Sequence, residues 1–448
     1  MSMTQSASEF ADAADRRAAV TTFDRSIVVT AGAGTGKTTL LIERLVHLLL
    51  RNPEPLKVTE IVALTFTNKA ADELKLRLRQ RLQAFLDSEL DREPASALER
   101  KISIEIQEVI ALYCLSKDEL ESRVQDALRN LERSDLGTIH SFAANLLRLY
   151  PLEAGLDPQF HEDDGSAFEQ LFDEQWSLWL DQELSLASAR AVEWQIILSR
   201  CRLDHVKALA KSLTTENVDL RQNTDDLTTI PAALSDWLSQ LENRATILLE
   251  RHPEDRLNEK LLRAAHATIS KFNQLGHQLE RNSEISILLS EKSLSRMTQG
   301  WSAEDIKEAQ VIVRAAEGLV GVDSELIGIL WRLLVTYAVD FRERFVREGH
   351  VSFEGLLVRA RNLVRDHARV RADLKRRYRA ILLDEFQDTD PIQYEILLFL
   401  AEQPDQTATD WRRVKLVPGK IFVVGIRSNR STLFAAPILK PIWRSWRK

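Results

Sequence analysis

A glycine-rich turn between a short apolar run and a helical pattern constrains the fold of this chain more than any other stretch. The apolar run covers residues 27–29, the turn covers residues 31–36, and leucines at helical spacing follow from Lys37. Glycine allows positive φ and lets backbone N–H groups approach phosphate oxygens, and the N-terminus of the following helix adds partial positive charge. The stretch therefore predicts a strand, a phosphate-binding loop and a helix.

The residue types in this loop predict a nucleotide site with a magnesium ion. The expected nucleotide-binding residues are Ala31, Gly32, Ala33, Gly34, Thr35, Gly36, Lys37, Thr38 and Thr39. Lys37 can reach the β- and γ-phosphates, and the Thr38 hydroxyl is placed to bind Mg²⁺. Ala31 stands where the common G-x-x-x-x-G-K-[ST] pattern has its first glycine. The alternative is a glycine-rich turn without a ligand, which the Gly-Lys-Thr run after a strand disfavours.

Composition and charge exclude several other classes of protein. The chain has 448 residues, 44% of them hydrophobic, and a net charge of −7, which is typical of a soluble protein of two or three domains rather than a polycation. The two cysteines, Cys114 and Cys201, have no metal-ligand spacing. Residues 1–10 lack a signal-peptide pattern, and the most apolar helical run, residues 326–339, is too short to span a bilayer. These features predict a cytoplasmic protein without membrane contact.

Strand and helix patterns alternate near both ends of the chain. A buried strand at residues 61–66 is followed by a helix, and further apolar strands are expected at residues 380–383 and 421–424. Successive βα units predict an α/β fold with a parallel sheet, and the helical spacing between them predicts a large all-helical insertion. The expected bounds are residues 1–150 and 346–425 for the α/β domain, 151–345 for the helical insertion and 426–448 for a separate tail.

An acidic run follows the apolar strand at residues 380–383. Asp384 is placed to bind the metal ion, and Glu385 next to it to polarise the attacking water. The alternative is a solvated acidic turn. The position favours the functional interpretation, because ligands of open α/β sheets bind at the carboxyl ends of the strands.

Four segments resemble, in order, motifs I, Ia, Ib and II of the UvrD/RecB/AddA family of superfamily 1 DNA helicases. They are AGAGTGKT at residues 31–38, TFTNKAA at 65–71, GTIHSF at 137–142 and DEFQDTD at 384–390. The resemblance implies a RecA-like ATP-binding domain (1A) with a helical 1B-like insertion. It also implies an ATP- and Mg²⁺-dependent DNA helicase of the 3′–5′ type, acting in recombination and repair.

The family's residue roles carry over where the residues match. The resemblance implies a catalytic set of Lys37, Asp384, Glu385 and Gln387, with Thr38 and Asp384 at the metal and Gln387 sensing the γ-phosphate. It implies DNA contacts by Thr65, Phe66, Asn68, His140 and Ser141. An aromatic face stacks on any base for about 1–3 kcal/mol, whereas Phe66 in a core strand or His140 as a structural histidine are the alternatives. The implied partners are single-stranded or duplex DNA and a RecC- or AddB-like subunit.

The chain departs from the family pattern at two places. Residues 15–20 read DRRAAV where family members commonly carry an adenine-reading glutamine, so adenine selectivity does not follow from the resemblance. After Gly425 the family continues Asp-Pro-Lys-Gln-Ser-Ile-Tyr, whereas residues 426–431 read IRSNRS. The codons GAT CCG AAG CAA TCG ATC TAC, read from their second base, encode that run.

We therefore expect residues 426–448 to be an out-of-frame tail and the chain to lack motifs III to VI. A nucleotide-binding half-site with little or no unwinding activity would result, because in this family a second RecA-like domain supplies arginines to the phosphoryl group. A genuine divergent terminus is the alternative for the tail. A non-catalytic DNA- or partner-binding fragment is the alternative for the function, and an unrelated P-loop ATPase is opposed by the four ordered motifs.

Overall fold

The chain divides into two compact units in the computed structural model. The first comprises Met1–Asp164 with Gly349–Lys448, and the second Gly165–Glu348. The structure describes residues 13–30, 32, 36–88, 96–185, 187–218, 220, 232–253, 257–275, 294, 301–319, 324–384 and 391–425.

Five parallel strands form the main sheet of the first unit, in the order β1-β7-β6-β2-β3. The strands along the chain are β1 Ile27–Thr30, β2 Ile61–Thr65, β3 Asp135–Thr138, β4 His161–Asp163, β5 His350–Ser352, β6 Ala380–Leu383 and β7 Ile421–Gly425. β4 and β5 form a separate parallel pair. Because the strands of the main sheet are parallel, their carboxyl ends share one edge, where β7 lies between β1 and β6. The predicted parallel α/β sheet is confirmed.

Helices connect these strands and make up the described part of the second unit. Those of the first unit before its long interruption are α1 Ala13–Thr21, α2 Lys37–Leu50, α3 Asn68–Asp87, α4 Ala97–Tyr113, α5 Lys117–Asn130, α6 Ile139–Leu149 and α7 Pro151–Ala154. Those of the second unit are α8 Ser166–Glu183, α9 Ala191–Arg200, α10 Leu203–Thr214, α11 Ala232–Arg251, α12 Leu257–Leu275, α13 Ala303–Leu319 and α14 Ser324–Arg347. The first unit resumes with α15 Phe353–Asp366, α16 Ala368–Arg377 and α17 Pro391–Ala401. Short 3₁₀ turns cover Val58–Glu60, Leu131–Arg133 and Trp411–Arg413.

Side-chain caps start three of the helices directly after a strand. Thr67 accepts a hydrogen bond from the N–H of Ala70 at the start of α3, and Thr138 accepts one from Ser141 at the start of α6. Ser352 does the same for α15. Such caps satisfy backbone donors that a helix leaves unpaired, so each strand turns into its helix within a few residues. The residues in these turns therefore have well-defined positions at the carboxyl edge of their strands.

Both faces of the main sheet are buried. Ala63, Leu136 and Phe422 pack on one face with the apolar sides of α1 to α5. Val62 and Ile381 point to the opposite face and are also buried. A parallel sheet covered by helices on both sides reads as continuous apolar runs, which is the pattern of its strands in the sequence.

The described residues of the second unit form two helical cores. α8, α9, α10 and α14 enclose an aromatic cluster that includes Phe172, Trp176 and Phe341. α11, α12 and α13 form a smaller bundle around Leu238 and Leu262. Trp176 is buried, as its helical spacing predicts. Among the helices that the structure describes, none has the length and apolarity needed to cross a membrane.

Candidate functional site

The strand and the helix on either side of the predicted phosphate loop are both present. β1 ends at Thr30, and α2 begins at Lys37. Gly36 is the N-cap of α2 with φ of 84°, a left-handed conformation that side chains rarely adopt. Lys37 and Thr38 thus open a helix whose first N–H groups have no partner within the helix, an arrangement suited to an anion.

Part of the predicted loop lies outside the described residues. Of the nine expected nucleotide-binding residues, the structure describes Gly32, Gly36, Lys37, Thr38 and Thr39. Ala31, Ala33, Gly34 and Thr35 lie outside the description, as do Glu385 and Gln387 of the acidic run.

Asp384 lies at the end of β6, at the same edge of the sheet as the start of α2. Its N–H donates to the carbonyl of Leu64 at 2.9 Å, which extends the pairing of β6 with β2 by one residue. The hydroxyl of Thr38 and the carboxylate of Asp384 are hard oxygen donors. Mg²⁺ prefers such ligands and takes few of them from the protein, keeping water and phosphate oxygens for the rest. The residues therefore fit a magnesium–nucleotide complex.

An aromatic cavity of about 250 Å³ lies beside Asp384 at the carboxyl ends of β2 and β6. Its lining residues are Leu64, Thr65, Phe66, Ile139, His140, Phe353, Leu383, Asp384, Gln393 and Leu397. The rings of His140 and Phe353 are stacked, with centroids 3.6 Å apart and planes inclined by 19°. Phe66 is 62% exposed and Phe353 is 53% exposed, so both rings are available to a ligand. Phe66 is not a core residue.

The turn after β2 explains why Phe66 lies outside the core. Thr65 is buried as the last residue of the strand, and its hydroxyl donates to the carbonyl of Thr67 at 3.1 Å. This bond closes a tight turn, and Thr67 in turn caps α3. Phe66, between the two threonines, is therefore directed outward. The chain exposes a large apolar side chain here because of local hydrogen bonding.

His140 is neutral at physiological pH. Burial lowers the pKa of its imidazole, and the carboxylate of Glu162 only partly opposes this effect. A neutral histidine stacked on Phe353 adds a flat surface without a positive charge. The aromatic cavity is thus suited to contacting ring faces rather than phosphates.

The five predicted DNA-binding residues divide between two cavities. Thr65, Phe66 and His140 line the aromatic cavity. Asn68 and Ser141 instead line a groove of about 390 Å³ along β3, between α3 and α6. The Ser141 hydroxyl lies 2.9 Å from that of Thr138. The first group presents rings, and the second presents amide and hydroxyl groups.

Phe353 is a site residue that sequence reasoning missed. It is the first residue of α15, far along the chain from Phe66 and His140, and no motif marks it. The only local signal is the capping serine before it, Ser352, which predicts the start of a helix but not which cavity the next residue lines.

Comparison with known proteins agrees with this arrangement. The model of the UvrD/REP helicase N-terminal domain family matches residues 13–425, and the chain belongs to that family. The match includes the phosphate-loop helix, the strands of the main sheet and the described residues of the aromatic cavity.

Curated relatives share one name, which describes each of them as one of the subunits of an ATP-dependent helicase/nuclease. The relative from Desulforudis audaxviator is 31% identical over 169 residues, which is 36% of this chain and 11% of the relative. The relative from Bacillus pumilus is 32% identical over 160 residues, again 36% and 11% of the two chains. The relative from Clostridium botulinum strain Hall is 28% identical over 185 residues, 40% and 12% of the two. The aligned part of the chain thus spans 11–12% of these relatives' lengths.

Proposed function

We propose that the chain forms the ATP-binding half of an ATP-dependent DNA helicase motor, with its first unit as a RecA-like domain. The observation that carries this proposal is the position of Asp384. It ends the strand next to β7, at the edge where α2 begins, and it also lines the aromatic cavity. One residue therefore belongs both to the proposed nucleotide site and to the proposed DNA site.

At the nucleotide site, the Lys37 ammonium would hold the β- and γ-phosphates, and Thr38 and Asp384 would hold the metal. Mg²⁺–ATP, when bound, supplies the phosphoryl group and neutralises its charge through the metal. Glu385 follows Asp384 in the chain, and in this proposal its carboxylate orients the attacking water, with Gln387 contacting the γ-phosphate side.

At the DNA site, the exposed rings of Phe66 and Phe353 would stack on unpaired bases. Such stacking is tolerant of sequence because every base has a π face. Asn68 and Ser141 in the neighbouring groove would donate to the sugar-phosphate backbone, since amide and hydroxyl groups are common phosphate contacts. Single-stranded DNA is therefore the preferred ligand, and duplex DNA is the substrate of the complete motor.

Several finer statements belong to the same proposal. They are 3′–5′ movement, action in recombination and repair, and a RecC- or AddB-like partner subunit. Residues 151–345 would be a 1B-like insertion between the two segments of domain 1A, 1–150 and 346–425. Residues 426–448, which lie outside the described part of the chain and beyond the family match, would be an out-of-frame tail. Reading the coding DNA after the Gly425 codon tests this last point: it must contain an Asp-Pro-Lys-Gln continuation in the alternative frame.

The central test is equilibrium binding of a fluorescent ATP analogue and of a labelled single-stranded oligonucleotide to the full chain. We expect Mg²⁺-dependent ATP binding that Lys37→Ala removes, and oligonucleotide binding that Lys37→Ala leaves intact. Phosphate release should rise on adding oligonucleotide but stay slow, because the arginines of a second domain contribute about 10³–10⁵ in rate in related enzymes.

Two results would contradict the proposal. ATP affinity that does not depend on Lys37 would refute the nucleotide site. Efficient strand separation by the purified chain would refute the half-site, since it would mean that the chain needs no second domain. Oligonucleotide binding without any ATP binding would instead identify a DNA-binding fragment with a vestigial loop.

A further inference from the structure

Helix α1 is fixed to the helix that follows the phosphate loop by a single buried arginine. Nη1 of Arg44, on α2, donates to the carbonyls of Ala19, Val20 and Thr22 at 3.1, 3.1 and 2.6 Å. These carbonyls lie at the C-terminal end of α1, where helix backbone acceptors lack partners and a cation is favourable. Arg44 is only 1% exposed. The position of α1 relative to α2 is therefore set by a buried contact.

Aromatic and glycine residues hold the segment after α1 in the same place. The Arg44 guanidinium lies 4.2 Å from the ring centroid of Phe23 and 5.2 Å from that of Phe422 on β7. Gly419, with φ of 76°, faces the backbone of Phe23. A Cβ on Gly419 would lie 1.7 Å from the Phe23 carbonyl oxygen, so only glycine allows this approach.

The anchored helix brings a second arginine to the phosphate loop. Nη1 of Arg16, on α1, lies 3.5 Å from the position that a Cβ on Gly36 would take. Gly36 directly precedes Lys37 and starts α2. The guanidinium of Arg16 is thus in contact with the loop end whose N–H groups are suited to phosphate oxygens. Arg16 is half-buried, which leaves it a path to a bound ligand.

We propose that Arg16 binds the phosphate groups of the nucleotide and that the site consequently discriminates little between bases. This inference rests on the proposed nucleotide site. A guanidinium has only donors and keeps its charge, and its fork matches phosphate oxygens. Reading adenine takes an acceptor for its N6 amino group as well as a donor for N7, which an amide side chain offers and arginine lacks. Arg16 therefore adds affinity for the anion shared by all nucleoside triphosphates.

Glu43 is the competing partner for Arg16. It lies on α2, and the pKa of its carboxyl is raised by burial and by Glu105, while Arg81, Arg16 and Lys101 lower it. If Arg16 served only to balance Glu43, removing Arg16 would change the stability of the fold and leave phosphate affinity as it is. The experiment must separate these two roles.

The test compares the affinities of the full chain for Mg²⁺ complexes of ATP, GTP and tripolyphosphate. We expect the unaltered chain to bind ATP and GTP with affinities within about threefold of each other. Arg16→Ala should weaken all three ligands by a common factor of about tenfold, the usual effect of losing one charge-assisted hydrogen bond. Arg16→Gln, which keeps a donor but removes the charge, should lose most of the same affinity. Arg17→Ala is the matched control, because Arg17 is the exposed neighbour on the same helix.

The outcomes separate this inference from the proposed function. Lys37-dependent ATP binding that Arg16→Ala leaves unchanged would overturn only the role of Arg16. An unequal loss of ATP and GTP in Arg16→Ala would show that Arg16 reads the base, which also overturns it. Absence of ligand binding by the unaltered chain would overturn both. Thermal unfolding of each variant identifies any loss that comes from misfolding.

Discussion

The two ends of the sheet's carboxyl edge present different chemistry. At β1 and α2 the chain offers a left-handed glycine, helix N–H groups, Lys37 and the nearby guanidinium of Arg16. At β2 and β3 it offers the rings of the aromatic cavity, with a neutral histidine among them. The first end is suited to phosphate charge and the second to ring faces.

The difference shows how one sheet can contact two ligands without confusing them. Cations and N–H groups bind charge, which every nucleotide carries, whereas exposed rings bind bases of any sequence. Asp384 lies where the two ends meet, because β6 is next to β7 on one side and β2 on the other. Changes at each end should therefore affect one ligand, and a change at Asp384 should separate them most clearly.

The largest effect is expected for Asp384→Asn. Loss of the metal-binding charge should lower DNA-stimulated phosphate release by about 10²–10³-fold, a typical cost of removing one preorganised group in such a site. Oligonucleotide affinity should be unchanged or rise, because a negative charge leaves the DNA cavity. Asp118→Asn, at the exposed start of α5, is the control. A parallel loss of DNA binding would show that the two ends are not separate sites.

A smaller effect is expected at the aromatic end. Phe66→Ala and Phe353→Ala should each weaken oligonucleotide binding by about 1–3 kcal/mol, the cost of one base–aromatic stack. ATP affinity should stay within about twofold. Leu76→Ala removes another exposed apolar side chain, on α3, and should change neither ligand. If Phe353→Ala binds DNA normally, the ring supports His140 and does not contact a base.

At the phosphate end, Arg44→Met tests whether the buried anchor matters for the ligand. The carbonyls of Ala19, Val20 and Thr22 would lose their donor, which should lower the free energy of unfolding by about 1–3 kcal/mol. ATP affinity should fall toward that of Arg16→Ala, and DNA affinity should not change. Arg25→Met removes an exposed arginine and should cost less than about 1 kcal/mol. Urea unfolding and ATP titration of the same samples decide between these results.

The smallest effect concerns pH and a histidine beneath the phosphate end. Burial lowers the pKa of His47 to about 4, and its Nδ1 lies 2.8 Å from the Tyr113 hydroxyl. Below pH 6.5 the unfolded chain takes up a proton that the folded chain refuses, so the free energy of unfolding should fall as pH falls. Its share between pH 6.5 and 5.5 is about 1 kcal/mol. Urea unfolding of His47→Gln should show a correspondingly shallower slope over this window, and an unchanged slope would contradict the assignment.

Local pattern was sufficient for the elements and for much of the phosphate end. Strand, turn and helix at residues 27–50 follow from apolar spacing and glycine, and the position of Asp384 follows from the apolar strand before it. The exposure of Phe66 also has a short-range cause, since the hydrogen bonds of Thr65 and Thr67 are made within three residues. Such features depend on neighbours in the chain, and these are what a sequence displays.

Only the tertiary structure decided which distant side chains meet. Phe353 stacks on His140 because α15 packs beside α6, and the two predicted DNA-binding groups separate because β3 is followed by its own groove. The contact of Arg16 with Gly36 depends on Arg44, which fixes α1 through carbonyls of a different helix. A sequence pattern specifies which face of an element is apolar, but it does not specify the neighbour against which that face packs. The side chains that distinguish this site were therefore brought together by packing.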